Sequence, residues 1–260
     1  MKGINARFAA FFAASTLALG LLATGAQART LEQVKADGKI IVATEGAYAP
    51  FNYYQGDKLT GFEVDLAEAI AKKMGVKIEW KAIPFDSLLI GLRQDRWDLV
   101  MASFGITEER AKAVTFTAPQ YCSGGVIVST DPAVSSAKTL AGKSVAVQVG
   151  TTYYENLKKV PGVKDVKTFP ENTDAQSALM AGRVDAWVTD RFSAKQALEA
   201  NPKAGMRQGD YLFIEKIAGA VKKDNTSLVN AVNKAVTDLM ADGTYAQLSN
   251  KYFHEDIRCH

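Results

Sequence analysis

The chain has 260 residues, 47% hydrophobic and 23% charged, with a formal net charge of +3. That composition excludes a disordered chain and suffices for one large domain or two moderate ones. Losing Lys2 and Arg7 with an N-terminal leader lowers the basic count from 31 to 29 against 28 acidic residues, a balance that excludes nucleic acid and anionic membrane surfaces as expected partners.

Lys2 and Arg7 precede an apolar run over 8–22, and Ala26-Gln27-Ala28 has the small-x-small form of a signal-peptidase site. Residues 1–28 are therefore expected to be an export leader cleaved after Ala28, delivering the chain to the periplasm. No later stretch approaches the roughly 20 apolar residues of a membrane span, and no cysteine follows the cleavage site to carry a lipid. Export permits a disulfide, but the spacing of Cys122 and Cys259 leaves a bond and two free thiols equally open.

After Gly38 the β-branched run 39–44 reads as a buried strand, and 45–51 as a loop at its C-terminal end. A turn at 55–58 leads into 61–74, where Leu66, Ile70 and Met74 recur at helical spacing. Glu63 and Asp65 stand at that helix's start, where the dipole favours negative charge, and no ligand contact is expected of them. Residues 76–80 read as a strand, 84–94 as a helix with Asp86 at its N-cap, and 99–103 as a third strand. Strands alternating with helices predict a mostly parallel sheet whose ligand crevice lies beyond the strands' carboxyl ends. Glu45, Tyr48, Phe51, Ser103 and the loop after it fall at those ends.

Thr107 opens a short helix carrying Arg110. A second unit begins near 139, with strand 144–148, a helix from Thr152, strand 166–169 and helix 174–181. Residues 92–103 and 179–190 read as a pseudo-repeat: each has a helix end, an aspartate (Asp98 or Asp185), and an apolar strand finishing in Ser103 or Asp190. On that reading the two strand ends face each other across a cleft. Strand 217–221 and helices 227–240 and 244–253 are too little to bury a core alone and should return to the first lobe.

The two histidines, His254 and His260, give no metal-binding spacing, no Gly-x-Ser-x-Gly elbow is present, and the glycines near 105 and 150 do not form a phosphate loop. No metal or cofactor is expected. What remains is binding chemistry. The planar fork of Arg110 suits a carboxylate, the alternative being a surface pair with Glu108 or Glu109. Thr151 and Thr152 begin a helix whose N–H groups suit an anion. Asp190 suits an ammonium, the alternative being a helix cap. Together they describe an α-amino acid site.

Gly61-Phe62-Glu63-Val64-Asp65-Leu66, Ala49-Pro50-Phe51, the run from Ser103 to Arg110, Val149-Gly150-Thr151-Thr152, Gly182-Arg183-Val184-Asp185-Ala186 and Asp242-Gly243-Thr244-Tyr245 resemble, in order, the extracytoplasmic solute-binding proteins of polar amino-acid ABC transporters. The resemblance covers the whole mature chain. It implies a two-lobed α/β fold, each lobe a mostly parallel sheet flanked by helices, joined by two hinge strands. Lobe 1 would comprise 29–123 and 214–260, and lobe 2 residues 124–213. It implies a monomer that delivers one polar or basic L-amino acid to an inner-membrane permease with its ATPase. Arg110 and the backbone of Thr152, beside Thr151, would hold the ligand carboxylate. Asp190, with Ser103, Phe104 and Gly105, would hold the ammonium end. Tyr48 and Phe85 would sandwich the ligand, while Glu45 and Gln148 would meet its distal end. Ala102 and Gly105 depart from the basic-amino-acid pattern, where serines are common, leaving the ligand open between arginine, lysine or histidine and a glutamine-like one. An enzyme of the same fold, a cyclohexadienyl dehydratase, is the alternative.

Overall fold

The computed structural model describes residues 28–259, so the expected leader lies, apart from Ala28, outside the described residues. Two five-stranded sheets organise the chain. In the first, the order is Lys77–Ala82, Lys39–Thr44, Leu99–Val100, Ala220–Lys222, Val114–Phe116. The first three are parallel, and Ala220–Lys222 runs against both its neighbours. The second repeats the plan as Asp165–Phe169, Ser144–Gln148, Ala186–Asp190, Tyr121–Ser129, Arg207–Ile217, again with three parallel strands followed by an antiparallel partner. Central strands such as Ser144–Gln148 are buried nearly throughout, as parallel strands covered on both faces must be.

The repeat seen in the sequence has a structural basis in its two aspartates. Asp98 N–H donates to Ile41 O at 2.9 Å while Ile41 N–H donates to Asp98 Oδ2 at 2.7 Å. In the second half, Asp185 N–H donates to Ser144 O at 2.9 Å and Ser144 N–H to Asp185 Oδ2 at 2.7 Å. Each aspartate thus locks the start of one parallel strand onto its neighbour, so Ser103 and Asp190 are delivered to the same end of their respective sheets.

Helix Phe62–Met74 buries Leu66, Ile70 and Met74 and packs against Thr226–Ala241 and Thr244–Phe253, which brings the C-terminal segment back to the first sheet. Its N-cap, Gly61, has φ +126°, and a Cβ there would lie 2.2 Å from Phe51 O. Only glycine tolerates both the dihedral and the approach.

Three local readings are corrected. Asp86 is not the N-cap of its helix: Pro84, in extended backbone, holds that place and the helix runs Phe85–Arg93, which leaves Asp86 in the first turn, where its charge meets the positive end of the helix dipole. The third strand stops at Val100 rather than 103, since the chain must turn there to place Ser103 at φ +54°. The strand expected over 217–221 divides into Arg207–Ile217 and Ala220–Lys222, because the chain changes sheets between them. Sequence reading also passed over a small antiparallel sheet of Ala47–Tyr48, Asn52–Gln55 and Lys58–Thr60.

Two strands carry the chain between the sheets. Tyr121–Ser129 and Arg207–Ile217 pair antiparallel from Tyr121 opposite Ile217 to Ser129 opposite Arg207. The two cysteines, whose spacing alone decides nothing, are bonded: Cys122 on the first of these strands joins Cys259, and Cys122 N–H donates to Ile257 O at 3.1 Å. The C-terminal tail is thereby tied to the crossing point, and the closed loop of 137 residues restricts the unfolded chain.

Candidate functional site

Arg110 belongs to helix Glu108–Ala113, whose cap Thr107 accepts from Arg110 N–H at 3.1 Å. Its side chain does not join the acids beside it; Glu109 pairs instead with Lys112. It crosses the face of Phe104 at 4.8 Å and donates to Gly105 O and, across the cleft, to Gly150 O, both at 2.8 Å. Phe85 stacks on Phe104, ring centroids 4.3 Å apart, so an aromatic pair supports the arginine from below. Burial lowers the guanidinium's pKa, and the nearby Glu215 charge works the other way. Opposite, Thr151 caps Thr152–Leu157 and donates its own hydroxyl to Gln148 O at 2.8 Å. Thr152 is thus the first residue of that helix, where an N–H has no intrahelical acceptor.

Of the two roles considered for Asp190, the structure shows the helix cap. It caps helix Arg191–Ala200, accepting from Phe192 N–H at 2.7 Å, and its other oxygen accepts from Ser123 Oγ. It also backs the cleft: its N–H donates to Tyr48 Oη at 3.4 Å, and Tyr48 Oη donates to Tyr153 Oη at 3.2 Å. Burial raises the Asp190 carboxyl to about 6, with the Ser123 and Phe192 bonds holding it back.

Glu63 does stand in the first turn of its helix, but it is 1% exposed. It accepts from Ser103 N–H at 2.7 Å, Asn52 Nδ2 at 2.8 Å, Ser103 Oγ at 3.1 Å and Tyr121 Oη at 3.4 Å. It therefore clamps Ser103 in a left-handed conformation that costs a non-glycine residue about 1–3 kcal/mol. Burial lifts its pKa to about 7 against those bonds. Asp65 does face outward, pairing with Lys251 and Tyr252.

At the far end of the cleft Gln148 donates to Glu45 at 2.6 Å, linking the two halves. Burial raises Glu45 to about 7, the Gln148 bond lowers it, and Glu171, Glu63 and Asp86 add like charge.

Glu45, Tyr48, Phe85, Ser103, Arg110, Gln148, Thr151 and Thr152 line one cleft together with Tyr153. Phe104, Gly105 and Asp190 stand behind those groups: Phe104 under Phe85, Gly105 O on Arg110, and Asp190 N–H on Tyr48. Two residues escaped sequence reading. Tyr153 directly follows Thr152. Glu215 lies on Arg207–Ile217, where Ile214 and Lys216 are exposed and Phe213, Glu215 and Ile217 turn inward. That alternation, applied to 213–217, would have flagged an inward-facing acid.

These raised carboxyl pKa values carry a sign. An acid near 7 in the folded chain and near 4 unfolded binds its proton more tightly when folded, so its contribution to stability is present below about 4 and is lost as pH rises towards 7. Glu45, Glu63, Glu215 and Asp190 act in the same direction. Glu79 and Asp242, lowered by surface lysines, titrate below that window. The melting temperature of the ligand-free protein is expected to fall between pH 5 and 8, as scanning calorimetry across that range would register. A flat or rising profile would contradict the assigned burial.

Residues 40–255 match the family described as bacterial extracellular solute-binding proteins, family 3. The chain is 36% identical over 233 residues to the L-cystine-binding protein TcyJ of Escherichia coli (strain K12), covering 87% of each. It superimposes with TM-score 0.80 on an ancestral arginine-binding protein bound to arginine, at 39% identity over 83% of this chain and 98% of that one. It also superimposes with TM-score 0.79 on the ancestral amino acid-binding protein AncCDT-1, a precursor of cyclohexadienyl dehydratase, at 32% identity over 86% and 99%.

Proposed function

Because the chain belongs to the bacterial extracellular solute-binding proteins of family 3, we propose that it is the amino-acid receptor of an ABC importer, closing on one L-amino acid with a cationic side chain. The observation carrying this reading is charge imbalance at the cleft: Arg110 is outnumbered by the carboxylates Glu45, Asp190 and Glu215, all held well above their usual pKa range by burial. A zwitterion alone leaves that excess untouched, whereas a guanidinium or ammonium side chain offsets it.

The ligand carboxylate lies on Arg110 and the Thr152 N–H, the α-ammonium at Asp190 beside Ser103, the stem against Tyr48 and Phe85, and the side-chain cation between Glu45 and Gln148. The chain divides into lobe 1 (29–123 and 214–260) and lobe 2 (124–213), one sheet to each, with boundaries inside the two crossing strands about which the lobes rotate. The receptor works as a periplasmic monomer after cleavage at Ala28 and hands its ligand to a permease with its ATPase. The similarity to arginine- and cystine-binding proteins supports an amino-acid ligand.

A thermal-shift screen over the amino acids tests the reading. Arginine, lysine or ornithine is expected to raise the melting temperature most, a ligand at 100 times its Kd adding about 2.7 kcal/mol. Glu45→Gln should weaken the cationic ligands by about 1.5–3 kcal/mol and leave glutamine nearly unchanged. Glutamine outranking every basic amino acid would overturn the cationic assignment, and silence from all of them the receptor itself. The dehydratase alternative is not favoured by relatives that are binding proteins, and it would need one of the cleft acids to protonate a leaving hydroxyl. Appearance of phenylpyruvate from prephenate would favour it.

A further inference from the structure

Glu215, on the second crossing strand, lies behind the cleft lining, beside Gly105 and Thr152. Both carboxylate oxygens are shut off from solvent and neither makes a hydrogen bond of good geometry. The hydroxyls of Thr152 and Tyr153 and the Arg110 charge lie near enough to favour its charged form, yet Arg110 makes no ion pair with it within 4.0 Å, its fork being turned to Gly105 O and Gly150 O. The carboxylate occupies space that only glycine leaves: a Cβ on residue 105 would lie 1.9 Å from Glu215 Oε2 and 3.1 Å from Thr152 Cγ2. A buried, underbonded carboxylate is costly and calls for a donor. Asp190, by contrast, already receives a bond on each oxygen.

An anion-binding fork and an underbonded carboxylate that are close but unpaired leave an interval that a carboxylate and its neighbouring ammonium can bridge. We propose that Glu215 is a ligand-recognising residue of this cleft, accepting a hydrogen bond from the α-ammonium beside Asp190, with Gly105 present because any side chain there would displace the Glu215 carboxylate. This rests on the amino-acid receptor reading and deepens it. The amine end is then read by two carboxylates, one buttressed and one free to bond, and the cleft selects ligands with a protonated α-amino group over neutral or N-acylated relatives.

The test compares L-arginine with its deamino analogue by calorimetric titration of wild type, Glu215→Gln and Gly105→Ala. Glu215→Gln is expected to weaken arginine about tenfold or more, the scale of a lost hydrogen bond to a charged group, while changing the deamino analogue little. Gly105→Ala should reproduce that pattern with the glutamate intact. Equal losses for both ligands, or no loss of arginine, would overturn the role of Glu215 while leaving the receptor in place. If wild type binds no amino acid in the thermal-shift screen, the receptor reading and this one fall together. Because the glutamine variant is nearly isosteric, an unchanged or higher melting temperature with the selective loss separates recognition from a merely structural part.

Discussion

Arg110→Ala is expected to lose about 2–5 kcal/mol of binding free energy, the cost of truncating one partner of a buried, hydrogen-bonded charge pair, or a factor of roughly 30 to a few thousand in Kd. Two losses combine. On the proposed reading, the ligand carboxylate is left without its bidentate partner. The two halves of the cleft also lose the Arg110 link from Gly105 O to Gly150 O, which fastens the helix Glu108–Ala113 to the loop before Thr152. Arg110→Lys keeps the charge but cannot present a planar fork or lie flat on Phe104, so an intermediate loss is expected. Folding stability should change far less than affinity, because the guanidinium's burial lowers its pKa and offsets part of what its hydrogen bonds contribute. Titration calorimetry and thermal melts on the same variants check both halves. An alanine variant binding within about threefold of wild type would show that the carboxylate is held elsewhere, since a buried charge-assisted contact is worth more than that.

The sheet plan was legible because it arises from local pattern. The apolar run at 39–44, the Leu66-Ile70-Met74 spacing and the Asp98 and Asp185 repeat each depend on residues within a dozen positions, and the strand ends then point the functional loops at one cleft. Thr107 and Thr151 were readable as caps for the same reason. The features that escaped depend on distant partners. Glu63 reads from sequence as a helix-start acid, which it is, but its burial is set by Asn52, Ser103 and Tyr121, as far as 58 positions away. Glu215 escaped because the strand was expected only from 217, which left 213–216 outside the alternation that would have flagged it. The disulfide needed the C-terminal tail placed beside the crossing strand, which no spacing between two cysteines conveys.

The largest expected effect on folding is at Glu63, in the helix most recognisable from sequence. Glu63→Ala leaves Ser103 N–H and Asn52 Nδ2 buried without acceptors, at about 1–3 kcal/mol each, and removes the clamp on Ser103. A combined loss of about 3–5 kcal/mol falls in the range of a broken buried network, which for a chain of this size lowers the melting temperature by roughly 6–20 °C. Glu63→Gln retains an acceptor but turns a donor toward Asn52 Nδ2, so a smaller loss is expected, together with a shallower fall in stability between pH 5 and 8, because a group held near 7 no longer titrates. Ser103→Gly separates clamp from clamped. Glycine takes φ +54° without strain and keeps the N–H that donates to Glu63, so this variant should fold nearly as well as wild type while losing the hydroxyl that faces the cleft. Were Glu63→Ala to melt within about 2 °C of wild type, no more than the shift one kcal/mol produces, the carboxylate would not be what holds Ser103, and the strand end that presents the site would owe its shape to the surrounding aromatic packing instead.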